Sequence, residues 1–162
     1  MRSPFDLFRK SEPVIEPLKA HDCEVMARLH GEGFSRPWTD GEFRSLLAQG
    51  PVFGFIARPQ GSGAKPAGFV LSRLVAGEAE ILTVVVSRSA RRAGVGHRLV
   101  SAVLQRLHHV RAESIFLEVD ESNAAAIGLY KRFGFVEVAR RPSYYDTPTG
   151  KSAALVMRLD LK

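Results

Sequence analysis

Apolar positions recur along this chain with two spacings, one typical of strands and one typical of helices. Short runs rich in β-branched and aromatic residues, bounded by glycine, proline and polar residues, predict strands. Apolar residues at every fourth position predict helices, as in the segment that begins at the glycine pair Gly94 and Gly96. The predicted strands are 14–18, 52–58, 67–75, 78–86, 114–119, 135–139 and 153–159. The predicted helices are 21–33, one capped by Thr39 and ended by Gly50-Pro51, one opening at the glycine pair, and 123–133, which Gly134 ends.

The order of these elements indicates the fold class. Strand, two helices and a strand hairpin are followed by alternating strands and helices, and two strands close the chain. In 162 residues this order predicts one α/β (α+β) domain, with a polar tail at 1–12 and the domain at 13–162. The last two strands are expected to be joined by a long loop rich in Pro, Tyr, Thr and Gly.

The segment 81–97, which reads I-L-T-V-V-V-S-R-S-A-R-R-A-G-V-G-H, predicts a strand that enters a helix through a basic, glycine-containing turn. Glycine has no Cβ, so the backbone there can approach a ligand closely. The unpaired N–H groups of the first helical turn attract anions, and two arginines add positive charge. A dinucleotide fingerprint is excluded because its third glycine is missing. The pattern therefore predicts a phosphate site of another kind, or else a basic turn before an ordinary surface helix.

Composition narrows the function classes without choosing among them. The formal charge of +6 suggests an acidic partner, either nucleic acid or a phosphorylated cofactor. Basic residues are not interleaved with aromatic residues as in RNA-recognition segments. One cysteine, Cys23, excludes an internal disulfide, and the first residues are too polar for a signal peptide. No stretch approaches the roughly 20 apolar residues of a membrane helix, so we expect a cytoplasmic protein.

The segment 117–130, L-E-V-D-E-S-N-A-A-A-I-G-L-Y, carries the candidate chemistry. Glu118 has apolar neighbours on a predicted strand, and partial burial would make it a better general base. Asn123 and Tyr130 lie seven residues apart and share a helix face. Taken singly, these residues are better explained as a solvated glutamate, a helix cap and a core aromatic. Together they indicate a site.

Separated motifs in the chain resemble one family. The pattern R-x-x-G-x-G after a strand resembles the acetyl-CoA pyrophosphate loop of the GCN5-related N-acetyltransferases (GNAT). The string L-E-V-x-x-S-N-x-A-A-I-x-L-Y resembles the bacterial ribosomal-protein-alanine N-acetyltransferases of that family. So do Pro37-Trp38 and Arg140-Arg141 followed by Tyr144-Tyr145. The resemblance implies the GNAT fold, a mixed sheet of about seven strands flanked by about four helices.

The resemblance also implies an activity and roles for particular residues. The activity is transfer of acetyl from acetyl-CoA to the N-terminal amine, expected to be that of alanine, of a small-subunit ribosomal protein, without a metal. Glu118 would be the catalytic base and Tyr130 the general acid. The residues expected to bind the cofactor are Val84, Val85, Val86, Arg91, Arg92, Ala93, Gly94, Val95, Gly96, His97 and Asn123. The residues expected to bind the substrate are Trp38, Tyr144 and Tyr145.

Two departures from the family pattern bear on the substrate. Lys151-Ser152 stands where an acidic residue is usual, and Asp120 where a basic one is common. One alternative is therefore a GNAT enzyme acting on another peptide, on lysine or on a small amine. A second is a non-catalytic basic module that binds ribosomes or RNA. We expect a monomer or weak dimer with no membrane partner and no direct contact to nucleic acid.

Overall fold

The computed structural model describes residues 12–61 and 63–162, so the predicted tail, apart from Glu12, lies outside the described residues. Within these ranges seven strands form one mixed sheet, and four α-helices flank it. The strands are β1 Val14–Pro17, β2 Val52–Arg58, β3 Gly68–Val75, β4 Glu78–Val86, β5 Ser114–Asp120, β6 Val136–Thr147 and β7 Gly150–Asp160. The helices are α1 Cys23–Gly33, α2 Asp40–Leu47, α3 Val95–His109 and α4 Ala124–Phe133. The predicted fold class is confirmed.

The sheet opens between β4 and β5. The strand order is β1-β2-β3-β4-β5-β7-β6, and β4 and β5 form the parallel pair. Their pairing ends at Ile81 and Leu117, so the C-terminal halves of both strands separate. On its other side β4 carries a bulge, because Leu82 is an extra residue between the pairs that β4 makes with Leu71 and Ser72 of β3. A bulge bends and twists a strand, here at the mouth of the gap.

Two apolar clusters cover the two faces of the sheet. The α3 cluster joins buried residues of α3, such as Leu99 and Val103, to Leu117, Val119 and Tyr130. The α1–α2 cluster, on the opposite face, is centred on buried residues of both helices and the strands beneath them. Its members include Met26, Phe43, Phe69, Leu71 and Val85. Because Leu117 and Val119 belong to the α3 cluster, the intervening Glu118 faces the side of α1 and α2.

The helix ends follow the predicted signals. Thr39 caps α2 by accepting the Glu42 N–H at 3.2 Å, and the Glu42 carboxylate accepts the Thr39 N–H at 2.8 Å. Asn123 caps α4 by accepting the Ala126 N–H at 3.2 Å, and Gly134, at φ 98°, ends that helix in the left-handed region.

The predicted long loop between the last two strands is wrong. β6 continues to Thr147 and β7 begins at Gly150, so the turn contains residues 148–149. β6 is an edge strand, and Pro142 therefore removes no bond that the sheet needs. A register shift between Arg141 and Tyr145, with Ser143 at φ 56°, absorbs the irregularity. Tyr144 and Tyr145 consequently lie on a strand.

Candidate active site

The basic turn after β4 is open to solvent at the start of α3. Arg91, Arg92, Ala93 and Gly94 are exposed, and Gly94 occupies the N-cap position at φ 78°. Among the described residues, no atom lies within 4 Å of where a Cβ on Gly94 would be, so the turn is open on that side. The unpaired N–H groups of the first turn therefore face a volume that an anion can enter.

Neighbouring elements hold this turn in place. Val95, the first residue of α3, is buried, and a Cβ on Gly96 would lie 3.3 Å from Cδ2 of Leu129, so glycine allows α3 and α4 to pack closely. The His97 ring stacks on Phe133 of α4 with centroids 4.6 Å apart. Arg88 Nη2 donates to the carbonyl of Glu32 at 2.8 Å, which ties the turn to the end of α1.

Val84, Val85 and Val86 follow the bulge and border the gap beside β5. Val85 is buried in the α1–α2 cluster, whereas Val84 and Val86 are half-buried against the α3 cluster. The three side chains thus anchor the strand to both faces. Since β5 leaves β4 at Ile81, the edge of β4 along these valines has no strand partner on that side among residues 12–61 and 63–162. Such an edge can pair with an extended ligand.

Glu118 lies just beyond the last β4–β5 pair, with a side chain that is 28% exposed. Nη2 of Arg141 approaches its Oε1 to 3.1 Å, and the same guanidinium lies over the Tyr144 ring, 5.5 Å from the centroid. This ion pair was not predicted from the sequence. The available signal was the basic pair Arg140-Arg141 near the end of the chain, but its partners depend on the register of β6.

Tyr130 is 6% exposed and packs against Phe135 in the α3 cluster, with ring centroids 5.6 Å apart. Burial raises the pKa of Tyr130 to about 12, so the phenol keeps its proton at neutral pH. Glu118 faces the other side of β5. The structure therefore places the two predicted catalytic residues on opposite faces of β5.

The turn between β5 and α4 is organised by its carboxylates. Burial would raise the pKa of Asp120, but the N–H and hydroxyl of Ser122, each donating at 2.9 Å, outweigh it and hold that pKa below its usual value. Glu121 accepts from Arg140 Nη1 at 2.7 Å and from the N–H of Ala153 at 3.0 Å. Asn123 is exposed and its Oδ1 accepts the Ala126 N–H at 3.2 Å, so its side-chain oxygen already caps α4. Its contact with a cofactor stays a prediction.

Trp38 is held by a buried histidine that sequence reasoning missed. His30 is 2% exposed, and its Nδ1 accepts a hydrogen bond from the backbone N–H of Trp38 at 3.0 Å. The His30 ring stacks between Phe34, at 4.1 Å, and Trp38, at 4.9 Å. Burial lowers the pKa of His30, which favours the neutral ring that can accept this bond. Its position four residues after Met26 on the apolar face of α1 was the signal for its burial.

The paired tyrosines of β6 lie next to Glu118. Their rings meet edge to face at 5.1 Å, with Tyr144 exposed and Tyr145 half-buried. Burial, and then the charge of Glu118, raise the pKa of Tyr145. In β7, the first of the two departures named above is the pair Lys151-Ser152: Lys151 Nζ lies 3.8 Å from Asp146 Oδ1, and Ser152 is buried.

Two further kinds of site were sought in the part of the chain that the structure describes. No three histidine, cysteine, aspartate or glutamate side chains there are grouped so that they could hold a metal ion. No helix there has the length and apolar character needed to cross a membrane.

Comparison with known proteins gives concordant results. The model of the acetyltransferase (GNAT) family matches residues 23–135. The [ribosomal protein bS18]-alanine N-acetyltransferase of Escherichia coli strain K12 is 30% identical over 147 residues, which are 91% of this chain and 97% of that protein. The crystal structure of the Escherichia coli ribosomal-protein-S18-alanine N-acetyltransferase superposes with a TM-score of 0.84 at 29% identity, covering 93% of this chain and 94% of that chain. Arabidopsis thaliana NAA60 in complex with acetyl-CoA has a TM-score of 0.79 at 20% identity, covering 91% and 98%.

Proposed function

Because this chain belongs to the acetyltransferase (GNAT) family, we propose that it transfers the acetyl group of acetyl-CoA to the N-terminal alanine of ribosomal protein bS18. The observation that carries the proposal is the 30% identity over almost the full length of an enzyme with that activity. The open gap between β4 and β5, with an anion-accepting turn at its end, supports the cofactor assignment.

Acetyl-CoA would supply an activated acetyl thioester, and the chain offers separate elements for its two ends. The backbone N–H groups of Gly94 to His97, with Arg91 and Arg92, suit the pyrophosphate. The unpaired edge of Val84 to Val86 suits the amide groups of the pantetheine arm. Asn123, at the head of α4, lies at the same end of the gap and would contact the cofactor through its amide N–H groups.

Glu118 and Tyr130 would divide the proton transfers. An N-terminal amine has a pKa of about 7.7–8.0 and is mostly protonated at neutral pH, so it cannot attack until Glu118 removes a proton, directly or through a water. The amine nitrogen then bonds to the thioester carbonyl carbon, whose oxygen needs N–H donors from the Val84–Val86 strand. As the carbon–sulfur bond breaks, the nitrogen releases its second proton to solvent and Tyr130 protonates the departing thiolate. The tyrosinate then recovers a proton from solvent. Tyr130 is protonated at neutral pH, as a donor must be, but a pKa of about 12 makes it a weaker acid than the thiol that it would protonate, whose pKa is about 8.5.

Trp38, Tyr144 and Tyr145 would line the groove for the peptide. Trp38 is fixed by His30, and the tyrosines lie on β6 beside Glu118, so both walls rest on ordered elements. Rigid aromatic rings lose little entropy when a peptide binds. We infer further that the protein acts in the cytoplasm as a monomer or weak dimer and meets the ribosomal protein without contacting nucleic acid.

The test is an acetylation assay on purified protein with acetyl-CoA and a peptide copying the bS18 N-terminus. The proposal expects one acetyl group on the α-amine of the alanine-initiated peptide and none on the same peptide blocked at its N-terminus. A panel of lysine peptides and small amines separates the alternatives. Faster acetylation of any panel member than of the alanine peptide would replace bS18 as the substrate.

A further inference from the structure

We propose that Arg141 is an internal cation that competes with the substrate's ammonium group for Glu118 and so sets how tightly the amine substrate binds. The inference deepens the proposed function and rests on it for the role of Glu118. Its basis is the 3.1 Å approach of Arg141 Nη2 to Glu118 Oε1.

The register of the last three strands explains why this arginine reaches Glu118. Arg141 of β6 pairs with Ala154 of β7, which pairs in turn with Asp120 of β5. Arg141 therefore lies on the same sheet face as Asp120 and, two residues away, Glu118. Asp120 is already held by Ser122, and Ala154 between them has only a methyl side chain, so the guanidinium extends across to Glu118.

This ion pair is suited to exchange. The Arg141 side chain is 56% exposed and that of Glu118 is 28% exposed, so solvent screens the pair and it contributes little binding free energy. The Tyr144 ring, whose centroid is 5.5 Å from the guanidinium, gives Arg141 a cation–π contact that it can keep when the substrate occupies Glu118. An incoming ammonium group then replaces one cation by another, and Glu118 is never left without a positive partner.

The exchange is also part of the proposed mechanism. The incoming ammonium group and the Arg141 guanidinium are both hydrogen-bond donors to the Glu118 carboxylate, and Arg141 Nη2 already lies on Oε1. An amine that takes this oxygen has to displace Arg141, and the cost of that displacement is part of the measured KM.

The adjacent residue provides a matched control. The Arg140 side chain lies on the opposite face of β6 from that of Arg141. It forms ion pairs with Glu121 at 2.7 Å and with Glu137 at 3.4 Å. Arg140→Gln therefore removes the same charge one residue away without freeing Glu118. Arg141→Lys keeps a cation near Glu118, Arg141→Gln replaces it by a neutral polar group, and Arg141→Met replaces it by an unbranched apolar side chain.

The experiment measures initial rates against alanine-initiated peptide at saturating acetyl-CoA, with thermal unfolding to confirm that each variant is folded. Arg141→Gln and Arg141→Met should lower the peptide KM by about two- to five-fold, the range for an exposed ion pair. Arg141→Lys and Arg140→Gln should leave it within error of the unmodified enzyme. Methylguanidinium should compete with peptide more strongly in Arg141→Gln, since the vacated carboxylate accepts it, and a purely structural role would not change this inhibition.

A peptide KM that rises or stays constant in Arg141→Gln and Arg141→Met would overturn the proposal, as would an equal fall in Arg140→Gln. Failure of the proposed function looks different, because the unmodified enzyme would then ignore the peptide. The same four variants would in that case be compared on the amine that the enzyme does acetylate, where the competition is expected to be the same.

Discussion

Replacing His30 by phenylalanine should loosen the segment that carries Trp38. His30 Nδ1 accepts the Trp38 N–H at 3.0 Å, and the His30 ring lies between Phe34 and Trp38. Phenylalanine keeps an aromatic ring in this stack but offers no acceptor. The Trp38 N–H is then left without its partner in a site where His30 itself is 2% exposed.

The expected loss of stability follows from the burial of the Trp38 backbone N–H. An orphaned buried donor costs about 1–3 kcal/mol, and the hydrogen bond here is only partly buried, so we expect about 1 kcal/mol. In a chain of this size that lowers the melting temperature by about 2–4 °C. Because Trp38 is a proposed wall of the peptide groove, the peptide KM should rise while the KM for acetyl-CoA stays constant.

His30→Asn is the matched control, since the asparagine oxygen can take the place of Nδ1 although the ring is lost. Its stability should fall through the cavity left by the ring. Its peptide KM should nevertheless stay closer to that of the unmodified enzyme than the KM of His30→Phe does. Calorimetry and initial-rate kinetics measure both quantities. If His30→Phe matches the unmodified enzyme in melting temperature and in peptide KM, His30 does not position Trp38.

Further predictions concern pH, the cofactor turn and the catalytic pair. Burial lowers the pKa of His30 below its ordinary value of 6.5, so on acidification the unfolded chain takes up a proton before the folded protein does. The free energy of unfolding should therefore fall as the pH falls from 6.5 towards the pKa of His30 in the folded protein. Denaturant titrations on both sides of pH 6.5 check this. Gly94→Val should abolish acetyl-CoA binding in calorimetry. Valine at φ 78° is strained and should cost about 1–2 kcal/mol of stability without unfolding the protein. Unchanged affinity for acetyl-CoA would remove the assignment of this turn to the pyrophosphate. Glu118→Gln should lower kcat by roughly 10²–10⁴, and Tyr130→Phe should lower it as well, both with acetyl-CoA affinity retained; normal turnover in both would refute the proton-transfer roles. Gly68→Ala should destabilise the fold by about 1–3 kcal/mol in chemical denaturation, because its Cβ would lie 2.5 Å from the Val85 carbonyl oxygen; an unchanged midpoint would show that β3 can move away from β4.

The sequence predicted the elements whose boundaries are marked by local chemistry. β2 and β4 have the predicted limits because alternating or continuous apolar runs end at glycine, proline or polar residues. Thr39 and Gly134 likewise mark helix ends through a side-chain cap and a left-handed φ. These signals act over a few residues, so one sequence suffices to find them.

Features that depend on register or on an edge position could not be predicted. β6 contains Pro142 and a positive φ at Ser143, which are typical of a loop, and it is a strand because an edge tolerates both. The pairing of Arg141 with Glu118 requires β6 to be aligned on β7, and no local pattern fixes that alignment. The bulge at Leu82 could not be predicted for the same reason, because nothing in the segment I-L-T-V-V-V marks which residue is left unpaired.

The most direct test of the central claim is mass spectrometry of ribosomal protein bS18 from the source organism with and without this protein. We predict an acetylated N-terminal alanine when the protein is present and a free alanine when its gene is deleted. The unmodified protein should restore acetylation in the deletion strain, and the Glu118→Gln variant should not. bS18 that remains fully acetylated in the deletion strain, together with no acetylation of bS18 by the purified enzyme, would contradict the assignment.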